Sequence, residues 1–293
     1  MKKSIWVQIQ IRLTLTFTFV FLFVVSTQSQ SLLYKVTGSE MSNPVYIYGT
    51  IHALPQADFF IDDIVMEKFS KAEKIVFEID MSNPSMMAEV QSAMMMQGNS
   101  IDQLVTEQEY LRLKQFFADS LQLPIDMLKH VKPLLMSSFM LPKIVGEQPA
   151  SYEGFFVQKA MEMEKSIAGI ETVAEQIGYM DKIPLQRQVK MLMESIDDFN
   201  ESRVEFQDLV NVYKTRDIER VYEVLMEASE EYKEFGEYLI DARNKIWIPR
   251  IIEMGNHNIC FIAVGCGHLG GENGIINLLK IEGFNVDPVE NKY

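Results

Sequence analysis

Val45-Tyr46-Ile47-Tyr48-Gly49-Thr50-Ile51-His52 decides how the chain is read. It is an apolar run that stops at a glycine, with a histidine three residues later. A second version comes near the C-terminus: Cys260-Phe261-Ile262-Ala263-Val264-Gly265-Cys266-Gly267-His268. Runs this apolar suit strands buried on both faces. A histidine just past such a strand stands where open α/β sheets bind their ligands. The chain has only 4 His. With glycine at roughly 7% of average sequence, chance puts a Gly three positions before two of four His in roughly 3% of chains. The doublet therefore counts as a signal, and the expectation is that His52 and His268 meet at one site.

Further elements follow outward from these runs. Residues 31–36 read as a strand, and Leu54-Pro55 as a break in the chain. Residues 61–70 have helical spacing, with Asp62 and Asp63 in the first turn, where the helix dipole favours anions. Lys74-Ile75-Val76-Phe77-Glu78-Ile79-Asp80 is another strand, with Glu78 near its end. A carboxylate there is costly unless paired or bound to a metal; the alternative is a strand already leaving the sheet, with Glu78 solvated. Residues 81–141 are helical, interrupted at Gly98, Pro124 and Pro133, with Ser100 placed to cap a helix. A helix begins near Ser151-Tyr152-Glu153. Residues 166–171 form a short strand ending in Glu171, which reads equally as a functional acid or as an acid favoured at a helix start. Residues 181–252 are almost all helix. Arg243 and Asn244 lie there; Arg243 can pair with a carboxylate or hold a substrate carbonyl, and sequence alone favours an exposed ion pair. His130 and His257 read as structural or exposed. Ile275–Ile281 reads as a helix and residues 284–286 as an edge strand.

The N-terminus reads separately. A basic start, an uncharged run from Leu13 to Val25 and a polar stretch to Ser31 have the layout of a secretory signal peptide over residues 1–30. The run is short for a membrane span; an uncleaved anchor is the alternative. The expectation is export to the periplasm or beyond, with membrane contact only through this segment. Residues 31–293 then fit one domain with a helical insertion. The net charge of −14 and the lack of a basic stripe argue against nucleic acid. The 2 Cys, six apart on one strand-turn segment, read as buried free thiols. Among 19 Met, the cluster Met86, Met87, Met94, Met95 and Met96 suits core filling or a surface that grips apolar peptide.

Two histidines and a carboxylate from separate strand ends can hold a catalytic metal and leave a position for water. His52, Glu78 and His268 are the candidate ligands. Glu171 is the candidate base, and Gly49 and Gly265 are places where substrate backbone can approach. A Gly-x-Ser-x-Gly elbow, a His-Glu-x-x-His helix and a dinucleotide fingerprint are all absent.

Tyr48-Gly49-Thr50-Ile51-His52 with Leu54-Pro55, Phe77-Glu78-Ile79-Asp80, Gly169-Ile170-Glu171-Thr172 with Gln176, Arg243-Asn244 and Val264-Gly265-Cys266-Gly267-His268-Leu269 together resemble the TraB/GumN/TIKI family, in the family's order and over nearly all of the mature chain. The resemblance implies an α/β fold related to the erythromycin-esterase and ChaN-like group. It has a central mixed sheet with flanking helices and two pseudo-repeated halves, each with a Gly-x-x-His. It implies peptide hydrolysis with a divalent metal, manganese or cobalt, zinc being a further candidate. Carried over by position, His52 and His268 are the paired histidines, Glu78 and Glu171 the acids, and Arg243 the helix arginine, expected to orient substrate, with Asn244 beside it as a substrate-binding candidate. Glu153 stands where many members carry Asp and joins the catalytic candidates. The expected partner is a peptide or small-molecule substrate. A non-catalytic peptide-sequestering protein and a metal-independent esterase-type hydrolase with His52 as base are the alternatives.

Overall fold

The computed structural model describes residues 30–146, 149–228 and 233–290. The signal-peptide reading falls on residues outside these. Among the described residues no helix is long and apolar enough to cross a membrane.

The expected α/β class and central mixed sheet are borne out. In chain order the strands are β1 (Leu33–Thr37), β2 (Val45–Thr50), β3 (Leu54–Pro55), β4 (Lys74–Ile79), β5 (Pro149–Ala150), β6 (Ser166–Glu171), β7 (Cys260–Gly265) and β8 (Asn285–Pro288). Six of them form one sheet in the order β6-β4-β7-β2-β1-β8. The four from β6 to β2 run parallel, while β1 is antiparallel to both its neighbours. The chain visits β2, β4 and β6 before β7 enters between β4 and β2. The strand with the second Gly-x-x-His therefore lies directly beside the strand with the first, with Thr50 opposite Gly265. The C-terminal ends of β2, β7 and β4 deliver His52, His268 and Glu78 to one edge.

The apolar character of β2 and β7 has its cause here: a central parallel strand is covered above, below and on both sides. Val45, Ile47 and Tyr48 are buried, as is every residue of β7 before Gly265. Tyr48 packs on Phe156 and Phe261 at centroid distances of 5.7 and 6.1 Å. Helix Asp63–Lys71 joins β2 to β4 and buries Val65 and Phe69 against this cluster. Helices Glu107–Leu121, Pro133–Met136 and Leu185–Asp197 enclose a second buried cluster that includes Leu113, Phe117, Met136 and Leu192. Helices fill both stretches in which helical patterns were expected, one between β4 and β6 and the other between β6 and β7. Of the Met cluster, Met96 is buried, Met94 and Met95 pack on the second cluster and Met87 is exposed. Ser100 caps its helix in a capping box with Gln103. Both cysteines are buried and free, as expected.

Two local readings need correction. Leu54-Pro55 is not merely a break: it pairs antiparallel with Pro149–Ala150, Leu54 opposite Ala150. This two-residue ladder brings the start of helix Tyr152–Glu162, and with it Glu153, beside His52. Gly49 is not open to substrate. A Cβ there would stand 2.8 Å from Leu269 Cδ1 and 3.2 Å from the Cys266 backbone. The missing side chain lets the turn carrying His268 lie on β2.

Gly49→Ala should therefore push that turn outward and cost about 1–3 kcal/mol, the usual penalty of overpacking. Thermal unfolding of the purified variant checks this; an unchanged midpoint would contradict the close approach.

Candidate active site

His52 and His268 come from adjacent strands but occupy different environments. His268 ends the short 3-10 turn Cys266–His268 and is buried. Asn244 fixes its tautomer. The Asn244 amide nitrogen donates to the His268 and Asn273 carbonyls, at 3.1 and 2.8 Å. Its oxygen must then accept, and the His268 Nδ1–H donates to it at 2.7 Å. His268 Nε2 keeps its lone pair, which faces Arg243 Nη1 at 3.2 Å. Burial, and then the Arg243 charge, push His268 down to about 3, so the ring is neutral. Trp247 packs on it at a centroid distance of 4.5 Å.

Arg243 is the hub. Its helix, Ala242–His257, follows a π-helical turn at Phe235–Asp241. Nε donates to Glu171 Oε1 at 3.0 Å. Nη1 donates to the Leu239 carbonyl at 2.8 Å and faces His268. Nη2 donates to Glu78 Oε2 and Glu171 Oε1, both at 2.6 Å. A guanidinium has five N–H groups, and all five are engaged. The exposed ion pair suggested by sequence is thus wrong: the Arg243 side chain is 7% exposed and that of Glu171 is 2%. A buried cation held this way has no N–H left for a substrate.

Glu171 is sealed behind Arg243. Its Oε1 also accepts from Gln176 at 3.1 Å, and its Oε2 accepts from Trp247 Nε1 at 3.0 Å. Glu78 reaches further out. Oε2 accepts from Arg243 and, at 3.2 Å, from Gln176. Oε1 accepts from the Gly265 N–H at 3.0 Å. Burial alone would raise its pKa; Arg243 overrides this and holds the carboxyl well below the usual carboxylate range.

His52 faces solvent, its side chain 65% exposed. Its Nδ1 lies 3.2 Å from Glu153 Oε1, which also accepts from Thr50 Oγ1 at 2.7 Å. Glu153 Oε2 accepts from Ser151 Oγ at 3.2 Å. Glu153 sits in the first turn of its helix, where the dipole favours an anion. The bond to Glu153 holds His52 up at about 9, so the imidazole is a cation at neutral pH. Its Nε2 looks across Gly265. A Cβ built on Gly265 would lie 3.4 Å from Glu78 Oε1 and 3.7 Å from both His52 Nε2 and His268 Cδ2. The absent methyl leaves a small void bordered by both imidazoles and one carboxylate. The void opens into a cavity of about 670 Å³ with apolar walls, including Met86, Leu209 and Phe235.

His52, Glu78, His268, Glu153, Arg243 and Gly265 thus converge at the cavity, with Glu171 behind Arg243. Asn244 is fully buried and holds the His268 loop, so it does not meet substrate. His130 and His257 lie away from the site. His257 is the exposed last residue of its helix, paired with Glu253. Thr50, Ser151 and Trp247 escaped sequence reasoning. Trp247 stands one helical turn after Arg243, a spacing that would have flagged it.

The expected three-ligand metal site is not formed in this arrangement. Among the described residues no three His, Cys, Asp or Glu side chains are grouped to hold an ion. The physical reason is Arg243, whose guanidinium takes the His268 lone pair and a Glu78 oxygen. His52 Nε2, once it has lost its proton, and Glu78 Oε1 are the donors that still face the void.

Residues 32–288 match the TraB/PrgY/gumN family, and the chain belongs to that family. Metalloprotease TIKI2 of Xenopus tropicalis is 21% identical over 310 residues, covering 83% of this chain and 57% of that relative. The chain therefore spans little more than half of that relative's length. No solved structure matches the chain.

Two outcomes follow. Arg243→Leu strands two buried carboxylates and should cost about 3–5 kcal/mol; adding Glu171→Leu should recover part of it. Denaturant unfolding of both variants measures this, and additive losses would contradict the pairing. In an NMR titration His52 should lose its proton near pH 9. Glu153→Gln removes the acceptor charge that favours the cation, so the midpoint should fall toward the ordinary 6.5. A midpoint unmoved by Glu153→Gln would dissociate the pair.

Proposed function

We propose that the chain is a hydrolase of peptide bonds whose reaction takes place in the void above Gly265. The observation that carries this is the meeting of two imidazoles and Glu78 around that void, at the floor of a cavity open to solvent. Each imidazole has its Nδ1 held by an oxygen, of Glu153 for His52 and of Asn244 for His268, so each Nε2 is oriented. The name of the TIKI2 relative supports a peptide substrate.

The chain's own residues divide the chemistry as follows. As its oxygen bonds to the scissile carbonyl, a water beside Glu78 Oε1 becomes acidic enough to give its proton even to this low-pKa carboxylate, which afterwards passes that proton to the more basic His52 and resets the site. The C–O bond forms, the C–N bond breaks, and the departing amine takes the Nε2 proton of His52. Glu153 fixes the His52 ring and compensates its charge. Arg243, Glu171, Gln176, Trp247 and Asn244 position the reacting groups without touching substrate.

Metal-dependent hydrolysis is the second reading, favoured by the relative's printed name and by the oxygen-held Nδ1 atoms, a feature of metal-ligating histidines. His52 and Glu78 would hold the ion, His268 joining only once Arg243 releases it; the ion would lower the pKa of a bound water.

Capped peptide libraries, incubated with wild type and with His52→Ala, test the proposal. Wild type should cleave, and His52→Ala should lose at least a hundredfold in rate, in line with the 10²–10⁴-fold contribution of a positioned acid or base. Equal rates would remove the proposal. Manganese and cobalt addition, a chelator and elemental analysis of the purified protein separate the two readings. Peptide binding without cleavage, unaffected by His52→Ala, would instead mark a sequestering protein.

A further inference from the structure

The cavity above the reacting groups has a composition that the hydrolytic chemistry does not require. Among the described residues, its charged lining residues are His52, Glu78, Glu153 and Arg243. All four pair among themselves or with Glu171, and Arg243 has no N–H to spare. The polar Tyr213 hydroxyl donates to the Gly49 carbonyl at 2.9 Å, and Gln176 donates to Glu78 and Glu171. Thr50 and Ser151 donate to Glu153, and the rest of the wall is apolar and comes from separate elements: Met81 and Met86 after β4, Met180 at the end of helix Val173–Met180, Phe206 and Leu209 on helix Phe199–Lys214, and Phe235 on the π-helical turn. A charged substrate side chain placed against this wall loses its hydration and finds no free partner among the described residues. An apolar one gains by leaving water. The unbranched thioethers of Met81, Met86 and Met180 adapt to side chains of different outline. At about 670 Å³ the space lies within the ~300–1,000 Å³ range of small-molecule sites.

We propose that the substrate inserts a large apolar side chain, of the Leu, Met or Phe class, into this cavity next to the scissile bond, and that Met81 and Phe206 are specificity-determining walls of this subsite. The inference rests on the hydrolase reading for its link to cleavage, while its binding claim stands on the cavity alone. Met81 is 37% exposed at the rim, so a substitution there leaves the core untouched. Phe206 is half-buried and reaches the same space from another helix.

The test uses quenched peptides with acetylated and amidated ends that differ only beside the scissile bond, Phe or Leu against Asp or Lys. The apolar peptides should be cleaved with a kcat/KM about ten- to a hundredfold higher, the ratio set by burying one such side chain. Met81→Asp and Phe206→Ala should each reduce the preference for the Phe peptide over the Asp peptide by about tenfold or more, with the melting temperature of Met81→Asp unchanged. Calorimetry on His52→Ala supplies the readout that needs no turnover: it should bind the Phe peptide at least tenfold tighter than the Asp peptide, and the added Met81→Asp should abolish the difference. Equal cleavage of apolar and charged peptides would overturn the subsite and leave the hydrolase reading standing. No cleavage of any peptide, with selective binding of the Phe peptide intact, would overturn the hydrolase reading and sustain the subsite.

Discussion

The site depends on one buried cation. Arg243 spends its five N–H groups on Glu171, Glu78, His268 and the Leu239 carbonyl. Removing two carboxylates and a guanidinium from water is expensive, and only close geometry with the remaining lone pairs satisfied repays it. Gln176, Trp247 and the Gly265 N–H supply that satisfaction. The result is an anionic Glu78 and a neutral His268 held in fixed positions. Groups held this way need no reorganisation when charge develops during a reaction.

The fold delivers these groups with little machinery. Insertion of β7 between β4 and β2 sets three functional strand ends side by side. Gly49 lets the His268 turn rest on β2, and Gly265 keeps the space between the imidazoles clear. The β3–β5 ladder is only two residues long, yet it brings Glu153 to His52 from a hundred residues away. The two histidines therefore differ in charge because their neighbours differ: a carboxylate beside one, a guanidinium beside the other.

Much of this was legible in the sequence, for reasons that particular residues make plain. The apolar runs of β2 and β7 announce central parallel strands, since such strands have no wet face. The repeated Gly-x-x-His marks the edge where the site lies, and Glu78 declares itself as a carboxylate in a strand that cannot shed it cheaply. Arg243 could not be read this way. Its partners lie 72 and 165 positions distant, and a helical arginine among acidic neighbours looks solvated until those partners are known. The same blindness hid the roles of Asn244 and Gly49, whose side-chain and backbone contacts exist only in the folded chain. The same limit applies to the candidate ligands: sequence supplies His52, Glu78 and His268 as donors but not the cation already among them.

The claim that the void above Gly265 is where substrate reacts is open to a direct measurement, the cleavage rate of Gly265→Ala on a peptide that wild type cuts. Gly265 has φ −53° and ψ 132°, which alanine adopts freely, so the backbone has no reason to move. The added methyl would occupy the space between Glu78 Oε1 and His52 Nε2. The account predicts at least a tenfold loss of rate with an unchanged melting temperature. A wild-type rate in a fully folded Gly265→Ala protein would contradict it.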